Sequence, residues 1–148
     1  MTANKPLADI ATIVHFMEEG IPFNHYLGLK VHDLAFGECV LRLPWRKDFV
    51  GDAQRPALHG GVTSALLDVA GGCACFTMIE LPQTRLSTVD LRVDYLLPGP
   101  AADLFVTAHV IRMGNRVATT TMELRTGSPT DEAIIALGRG VYNVKRDD

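Results

Sequence analysis

The chain has 148 residues, of which 47% are hydrophobic, so it has the length of one domain and enough apolar side chains to fill a single core. Its formal net charge is only -3, which gives no overall positive field that would favour nucleic acid as a partner. The three cysteines lack the spacing of a zinc site or a secreted disulfide framework, which favours a reducing, cytoplasmic compartment.

The first third of the chain predicts a helix, a hairpin and a loop. Apolar residues at three- and four-residue steps indicate an amphipathic helix over 6–19 that ends at Gly20, and its acidic residues argue against a signal peptide. Alternating apolar residues over 29–45, on either side of a turn at 36–38, indicate a β-hairpin. Residues 47–56 have no periodicity and are predicted as a loop. No apolar run reaches the roughly 18 residues of a membrane helix, so we expect no membrane association.

Residues 60–80 predict a long helix that carries one acid, Asp68, among apolar side chains. Bulky residues fall on one stripe of this helix, while Asp68 lies on a narrow face of small residues. A buried acid costs free energy unless it has a partner or a function. Each glycine inside a helix costs about 1 kcal/mol relative to alanine, so Gly71 and Gly72 indicate that another group approaches the backbone beside Asp68. The unpaired N–H groups at the glycine-rich start of the helix can hold a developing negative charge, which suggests hydrolysis at a carbonyl.

Four strands are predicted after the helix, over 87–97, 103–113, 116–125 and 133–144, and they are expected to form an antiparallel meander. The dipeptide at 114–115 suits a tight hairpin. Together with the first hairpin this predicts an α+β fold, with an antiparallel sheet of about six strands wrapped around one long helix and a short N-terminal helix before it. One helix cannot cover so much sheet, so we expect the chain to form oligomers.

The order of these elements, with His59, Gly60 and Gly61 opening the central helix and Asp68 nine residues after the histidine, resembles the hotdog-fold acyl-CoA thioesterases of the phenylacetate-pathway (PaaI-like) type. The resemblance covers nearly the whole chain as a single hotdog domain. Its motifs lie at 22–28, 58–68, 87–98 and 136–142.

The resemblance implies a hydrolase of acyl-CoA thioesters that uses no cofactor and no metal. It also implies a homodimer paired edge to edge between the sheets, commonly doubled to a homotetramer as a dimer of dimers, with active sites between subunits. Asp68 is then the general base or the nucleophile, and the Gly60 N–H of the other subunit stabilises the oxyanion. Gly61 is a neighbouring candidate for substrate binding. Some relatives carry Asn six residues before the histidine, where this chain has Ala53.

Thr88 matches the position where the family often carries Ser or Thr, and it would orient the attacking water or the carboxylate. Strand alternation places Thr88 on the same face as the charged residues of its strand and opposite the apolar ones. Ser87 is the alternative if a bulge shifts the register. The charged set is Asp90, Arg92 and Asp94, and the apolar set is Val89, Leu91, Val93 and Tyr95.

Other reactive side chains of the chain are better explained by structural roles. His59 is a candidate catalytic base, but nine residues along a helix place it opposite Asp68, which favours a role in capping the helix. Cys75 lies on the Asp68 face, where a carboxylate would raise the pKa of the thiol and make it less reactive. Ser64 lacks the glycine context of a serine-hydrolase nucleophile. The phosphates of coenzyme A require basic side chains, and the candidates are Arg92, Arg112, Arg116 and Arg139.

Two further functions are open. One is a non-catalytic acyl-CoA-binding hotdog module, although relatives of that kind usually carry a DNA-binding helical domain, for which the roughly 25 residues before the first strand are too few. The other is a hotdog dehydratase of hydroxyacyl thioesters, although those enzymes generally pair a histidine with an acid in another arrangement. Asp68 has no histidine near it in sequence on its own helix face.

Overall fold

A computed structural model describes residues 5–131 and 133–146. Three α-helices precede or interrupt the sheet: α1 over Ile10–His15, which continues into a π-helical turn over Phe16–Gly20, α2 over Pro22–Leu27, and the long α3 over Gly60–Phe76. A short 3-10 turn covers Lys47–Phe49. The strands are β1 Lys30–Ala35, β2 Glu38–Leu43, β3 Thr84–Tyr95, β4 Leu104–Met113, β5 Val117–Thr126 and β6 Ala136–Arg146.

The six strands form one antiparallel sheet in the order β1-β2-β4-β5-β6-β3. The prediction that a meander follows the helix is therefore wrong for one strand, because only β4, β5 and β6 are consecutive neighbours. β3 pairs with β6 and forms one edge of the sheet. The reason is that α3 contacts β2 at one side and β3 at the other, so it carries the chain across the sheet before β3 begins. The predicted α+β fold, a sheet wrapped around one long helix, is confirmed.

The core lies between α3 and the inner face of the sheet. Six residues on successive turns of α3 are fully buried, namely Leu66, Leu67, Ala70, Cys73, Ala74 and Cys75. The helix is therefore apolar over more than the single bulky stripe that its sequence predicts, as expected for a helix that a sheet surrounds. A half-buried strip remains on the small-residue face, at Ser64, Ala65, Asp68 and Gly72.

Several predicted boundaries shift for local reasons. The first helix begins at Ile10, because the Asp9 carboxylate accepts a hydrogen bond from the Thr12 N–H and caps it there. The helix α2 was not predicted; it has a proline in its first turn and is capped at its C-terminus by Gly28 with φ 78°. α3 ends at Phe76 instead of residue 80. At this end, the Thr77 hydroxyl donates to the Ala74 carbonyl at 2.7 Å.

No helix within the described residues is both long enough and apolar enough to span a bilayer. The exposed apolar side chains are concentrated partly at the β3 edge, where Val89 is 65% exposed and Tyr95 is 57% exposed. Leu96 and Leu97 directly follow this strand and are also half exposed. The fold thus leaves the edge of the sheet beside α3 uncovered.

Candidate active site

His59 caps the N-terminus of α3. Its backbone is extended, and its Nδ1 accepts a hydrogen bond from the Gly61 N–H at 2.8 Å, in the way that Asn or Asp caps a helix. The His59 N–H donates to the Phe49 carbonyl at 2.8 Å, which fixes the cap to the preceding loop. The imidazole is thus engaged at the helix start, in agreement with the structural role predicted from its distance to Asp68.

The Gly60 N–H is the open donor of this first turn. It has no hydrogen-bond acceptor among the residues that the structure describes, whereas the Gly61 N–H is satisfied by His59. The Tyr95 ring covers the other side of Gly60, and a Cβ added to Gly60 would lie 3.3 Å from Tyr95 Cε1. The Tyr95 hydroxyl donates to the Gly60 carbonyl at 3.1 Å and lies 2.5 Å from Ser64 Oγ. The backbone of Gly60 is therefore held by a side-chain network while its N–H remains available.

The Asp68 carboxylate lies on the half-buried strip of α3 and is bound by one hydroxyl. Thr88 Oγ1 donates to Asp68 Oδ1 at 2.8 Å. The second carboxylate oxygen, Oδ2, has no hydrogen-bond partner among the described residues and so keeps a free acceptor. The structure thus brings together two of the predicted site residues, the acid and the hydroxyl.

A β-bulge at Val89 explains how Thr88 reaches the helix. Thr88 pairs with Tyr142 and Asp90 pairs with Val141, so Val89 is an extra residue in β3. The alternation predicted for this strand is therefore wrong at Thr88, which shares the inner face with Leu91 instead of the outer face with Asp90. Ser87, the alternative candidate, is exposed and pairs with Asn143 on the outer side. The bulge follows Thr88 instead of preceding it, and so it selects Thr88.

Besides Thr88, a second side chain bonds to Asp68, and it was not predicted from the sequence: Tyr142. The Tyr142 hydroxyl donates to the Asp68 main-chain carbonyl at 2.8 Å. Tyr142 lay within a motif of the resemblance, but no role was assigned to it. The signal that could have found it was the glycine pair, because a Cβ at Gly71 would overlap the Tyr142 hydroxyl. The predicted close approach to the backbone beside Asp68 is thus confirmed, and the approaching group is a phenol.

The acid and the open N–H of one chain lie too far apart to act on one carbonyl. Gly60 and Asp68 are eight residues apart on one helix, which corresponds to about 12 Å along its axis. His59 is one residue farther away and on the opposite side of the helix. A site that uses both Asp68 and Gly60 therefore requires a second copy of the chain.

The cysteines are buried thiols and not nucleophiles. Burial, followed by the neighbouring Cys73, raises the pKa of Cys75 to about 12. Burial likewise raises the pKa of Cys39. The conclusion that Cys75 is unreactive holds, but the dominant cause is removal from water and not the charge of Asp68. Within the described residues, no group of three His, Cys, Asp or Glu side chains is arranged to hold a metal ion.

The four candidate arginines fall into two separate places. Arg92 and Arg139 are direct cross-strand partners on the outer face of the sheet, and they line a hollow of about 460 Å³ in which Arg92 also contacts Asp94 at 3.3 Å. Arg112 and Arg116 flank the β4–β5 hairpin instead. Arg116 lines a second hollow, of about 510 Å³, whose other basic residues are Lys145 and Arg146.

The loop before α3 packs against the helix cap. A Cβ at Gly51 would lie 2.7 Å from the His59 Cα, so the glycine permits this contact. Asp52 is engaged within the loop, where the Gln54 N–H and the Arg55 side chain lower the pKa of its carboxyl. Ala53 lies between them on an exposed bend and offers no polar side chain.

Comparison with known proteins gives one consistent result. Residues 56–133 match the thioesterase superfamily. The chain is 36% identical over 136 residues to the medium/long-chain acyl-CoA thioesterase YigI of Salmonella typhimurium, and the match covers 84% of this chain and 86% of that protein. A solved structure from Shewanella oneidensis, related to the thioesterase superfamily, is 31% identical with a TM-score of 0.75 and coverage of 92% and 95%. The E. coli PaaI protein from the phenylacetic acid degradation operon is similar in fold, with a TM-score of 0.78 at 22% identity and coverage of 93% of each chain.

Proposed function

Because the chain belongs to the thioesterase superfamily and has its hotdog fold, which makes it a thioester hydrolase, we propose that its substrates are acyl-CoA thioesters. Water cleaves the C–S bond, and coenzyme A leaves as the thiol. The observation that carries this proposal is the Asp68 carboxylate, which is held by Thr88 on an otherwise apolar helix beside an open strip of small residues. The similarity to YigI supports a medium or long acyl chain.

Asp68 supplies the base or the nucleophile. As a base, its free oxygen takes a proton from water while the water oxygen attacks the thioester carbonyl, and the proton then passes to the departing sulfur. As a nucleophile, the carboxylate itself attacks, and water then hydrolyses the resulting anhydride. In both routes the Gly60 N–H at the helix start donates to the oxyanion of the tetrahedral intermediate. The hydrogen bond from Thr88 orients the carboxylate and leaves one oxygen free for the reaction.

The two halves of each site come from two subunits. β3 lies at the edge of the sheet, extends over 12 residues and pairs with β6 on one side. An edge strand of this length with an exposed Val89 is a template for pairing with another strand. Antiparallel pairing of β3 with its copy in a homodimer would bring Asp68 of one subunit toward Gly60 of the other. A dimer of such dimers gives the homotetramer, which we place in the cytoplasm because the cysteines are unpaired.

Hollows beside these elements suit the two ends of the substrate. A hollow of about 380 Å³ at Gly60 has mainly apolar walls, including Leu58, Leu97 and the Tyr95 ring, and suits the acyl group. The basic hollow at Arg116 suits the phosphates of coenzyme A, because its basic side chains lie together with the amide side chains of Asn115 and Asn143, which can also donate to phosphate oxygens. Arg112 lies at the same end of the sheet as this hollow. Arg92 and Arg139, on the outer face, form a second basic site for the phosphates. Gly61 lies next to the oxyanion donor Gly60.

Replacement of the acid tests this function. Asp68→Asn keeps the size of the side chain but removes the base, so kcat for acyl-CoA hydrolysis should fall by about 10²- to 10⁴-fold. The measurement is thiol release from a panel of aliphatic and aromatic acyl-CoA thioesters. Asp90→Asn, on the outer face of the same sheet region, is the matched control and should retain full activity.

Three results would overturn the proposal. Retained hydrolysis by Asp68→Asn would remove the acid from the mechanism. Tight binding of acyl-CoA by the wild-type chain without thiol release would indicate a binding module. An enoyl product from hydroxyacyl thioesters would indicate a dehydratase, which the capping role of His59 disfavours.

A further inference from the structure

Tyr142 is a buried side chain that contacts the proposed catalytic residue. It lies on the inner face of β6 and is 2% exposed. Its hydroxyl donates to the main-chain carbonyl of Asp68 at 2.8 Å. In an α-helix this carbonyl ordinarily accepts only from the N–H four residues later, so the phenol adds a second bond from the sheet to the turn that carries Asp68.

The space for Tyr142 is built by two glycines. A Cβ at Gly71 would overlap the Tyr142 hydroxyl and would lie 2.7 Å from Thr120 Oγ1. A Cβ at Gly140 would lie 2.7 Å from Tyr142 Cε2. Glycine inside a helix or a strand is destabilising relative to alanine, so both elements lose stability for this contact. The arrangement indicates that the position of the phenol against Asp68 matters.

One cross-strand pair of residues in the sheet holds Asp68 at two points. Thr88 and Tyr142 are direct partners in the pairing of β3 with β6. Thr88 binds the carboxylate of Asp68, and Tyr142 binds its main-chain carbonyl. The side chain and the backbone of the acid are therefore fixed by adjacent residues on neighbouring strands.

The phenol remains a neutral donor. Burial, with the nearby charge of Asp68 as the next cause, raises the pKa of Tyr142 well above its ordinary value. The hydroxyl is therefore protonated throughout the range in which thioesterases are assayed, and it donates to Asp68 at every such pH. Proton transfer to the substrate is not required of it.

We propose that Tyr142 is a positioning residue that acts through Asp68, holding the turn of α3 so that the carboxylate bound by Thr88 points into the intersubunit site. This inference rests on the proposed role of Asp68. Because Tyr142 is 2% exposed and its hydroxyl bonds the main-chain carbonyl of Asp68, we expect the ligand affinity of the site to change little without that hydroxyl. Loss of the hydroxyl should therefore lower kcat and leave KM unchanged.

Tyr142→Phe is the direct test, since the ring and its packing remain while one hydrogen bond is lost. We expect kcat for thiol release to fall about three- to tenfold with KM within a factor of two, which is the range for loss of one neutral hydrogen bond. The same substitution in an Asp68→Asn background should cause no further loss of the residual activity. A purely structural role would instead lower activity by the same factor in both backgrounds.

Two neighbouring glycines give a matched pair of variants. Gly71→Ala should displace the phenol and reproduce the loss of kcat, because its Cβ would occupy the position of the hydroxyl. Gly72→Ala, whose Cβ would meet only Tyr142 Cε1 among the described residues, at 3.8 Å, should leave the phenol in place and is the control for Tm, because Gly72 itself borders the open strip. Both variants gain the same helix propensity, so the difference between them reports the displacement of Tyr142.

The outcomes separate this inference from the proposed function. Loss of activity in Asp68→Asn together with full kcat in Tyr142→Phe would overturn the positioning role and leave the proposed function intact. Further loss by Tyr142→Phe in the Asp68→Asn background would also overturn it. Retained hydrolysis by Asp68→Asn itself would overturn the function and this inference with it.

Discussion

The two halves of the proposed site differ in how far one chain completes them. The acid half, in the middle of α3, has Asp68 held by Thr88 and by the buried Tyr142. The donor half, in the first turn of α3, has the open N–H of Gly60 beside Tyr95, which is 57% exposed. The acid is thus fixed by the core, whereas the oxyanion donor lies on a surface that the partner subunit would cover. In the proposed dimer, the fold of one chain positions the acid and the partner subunit supplies the donor.

The strongest test of this division mixes two inactive variants. Asp68→Asn removes the acid, and Gly60→Pro removes the donor while keeping a residue that suits the first turn of a helix. Loss of either group should lower kcat by at least about 10²-fold. In a mixed dimer one site would receive Asp68 and Gly60 from the two unaltered positions, so random reassembly should restore about a quarter of wild-type activity. Thiol release after co-refolding measures this recovery.

The complementation has a direct control. Refolding each variant alone should give no recovery. If the mixture also remains inactive while light scattering shows normal oligomers, Asp68 and Gly60 do not share an intersubunit site and the division between the two halves fails.

A smaller effect is expected where the acid half is loosened. Thr88→Ala removes the hydrogen bond to Asp68 Oδ1, and because this bond involves a charged group, kcat should fall about 10- to 100-fold. Thr88→Ser keeps the hydroxyl and should retain most of the activity. Ser87→Ala, one residue away on the outer face, is the matched control. Equal kcat values for the alanine variants at 87 and 88 would contradict the orienting role of Thr88.

The smallest effect is expected at the donor half. Tyr95→Phe removes the hydrogen bonds to Gly60 and Ser64 but keeps the ring, so kcat should fall only about two- to fivefold because the exposed first turn relaxes. Steady-state kinetics with a medium-chain acyl-CoA measures the change. A loss larger than that of Thr88→Ala would show that the donor half is the more tightly constrained of the two.

The sequence predicted the parts of the site that depend on local signals. The glycines after His59 indicate the start of a helix, and Asp68 stands out as an acid among apolar residues. Both halves of the site on α3 could therefore be identified from one segment. The glycine pair beside Asp68 also indicated a close contact. The glycine pair could not identify Tyr142 as the contacting residue, because Tyr142 lies more than 70 residues later and reaches the helix only through the folded sheet.

The face of β3 on which Thr88 lies could not be predicted for a related reason. Its bulge is a property of pairing with β6, and nothing in the run of residues around Val89 marks an extra residue. The edge position of β3 likewise depends on the path of α3 across the sheet. Contacts between distant segments therefore decided which face Thr88 occupies, and local alternation gave the wrong face.

The bulge also determines how many places one strand can serve. Thr88 and Tyr95 are seven residues apart, and in a regular strand an odd separation sends two side chains to opposite faces. The extra residue at Val89 changes the phase between them, so Thr88 reaches Asp68 and Tyr95 reaches Gly60 from the same side of β3. Pairing of Val89 in a regular register would keep one of these contacts and turn the other side chain to solvent, whereas deletion of Val89 would leave an even separation of six residues and keep both side chains on one face. The bulge is therefore as much a part of the site as the side chains of β3.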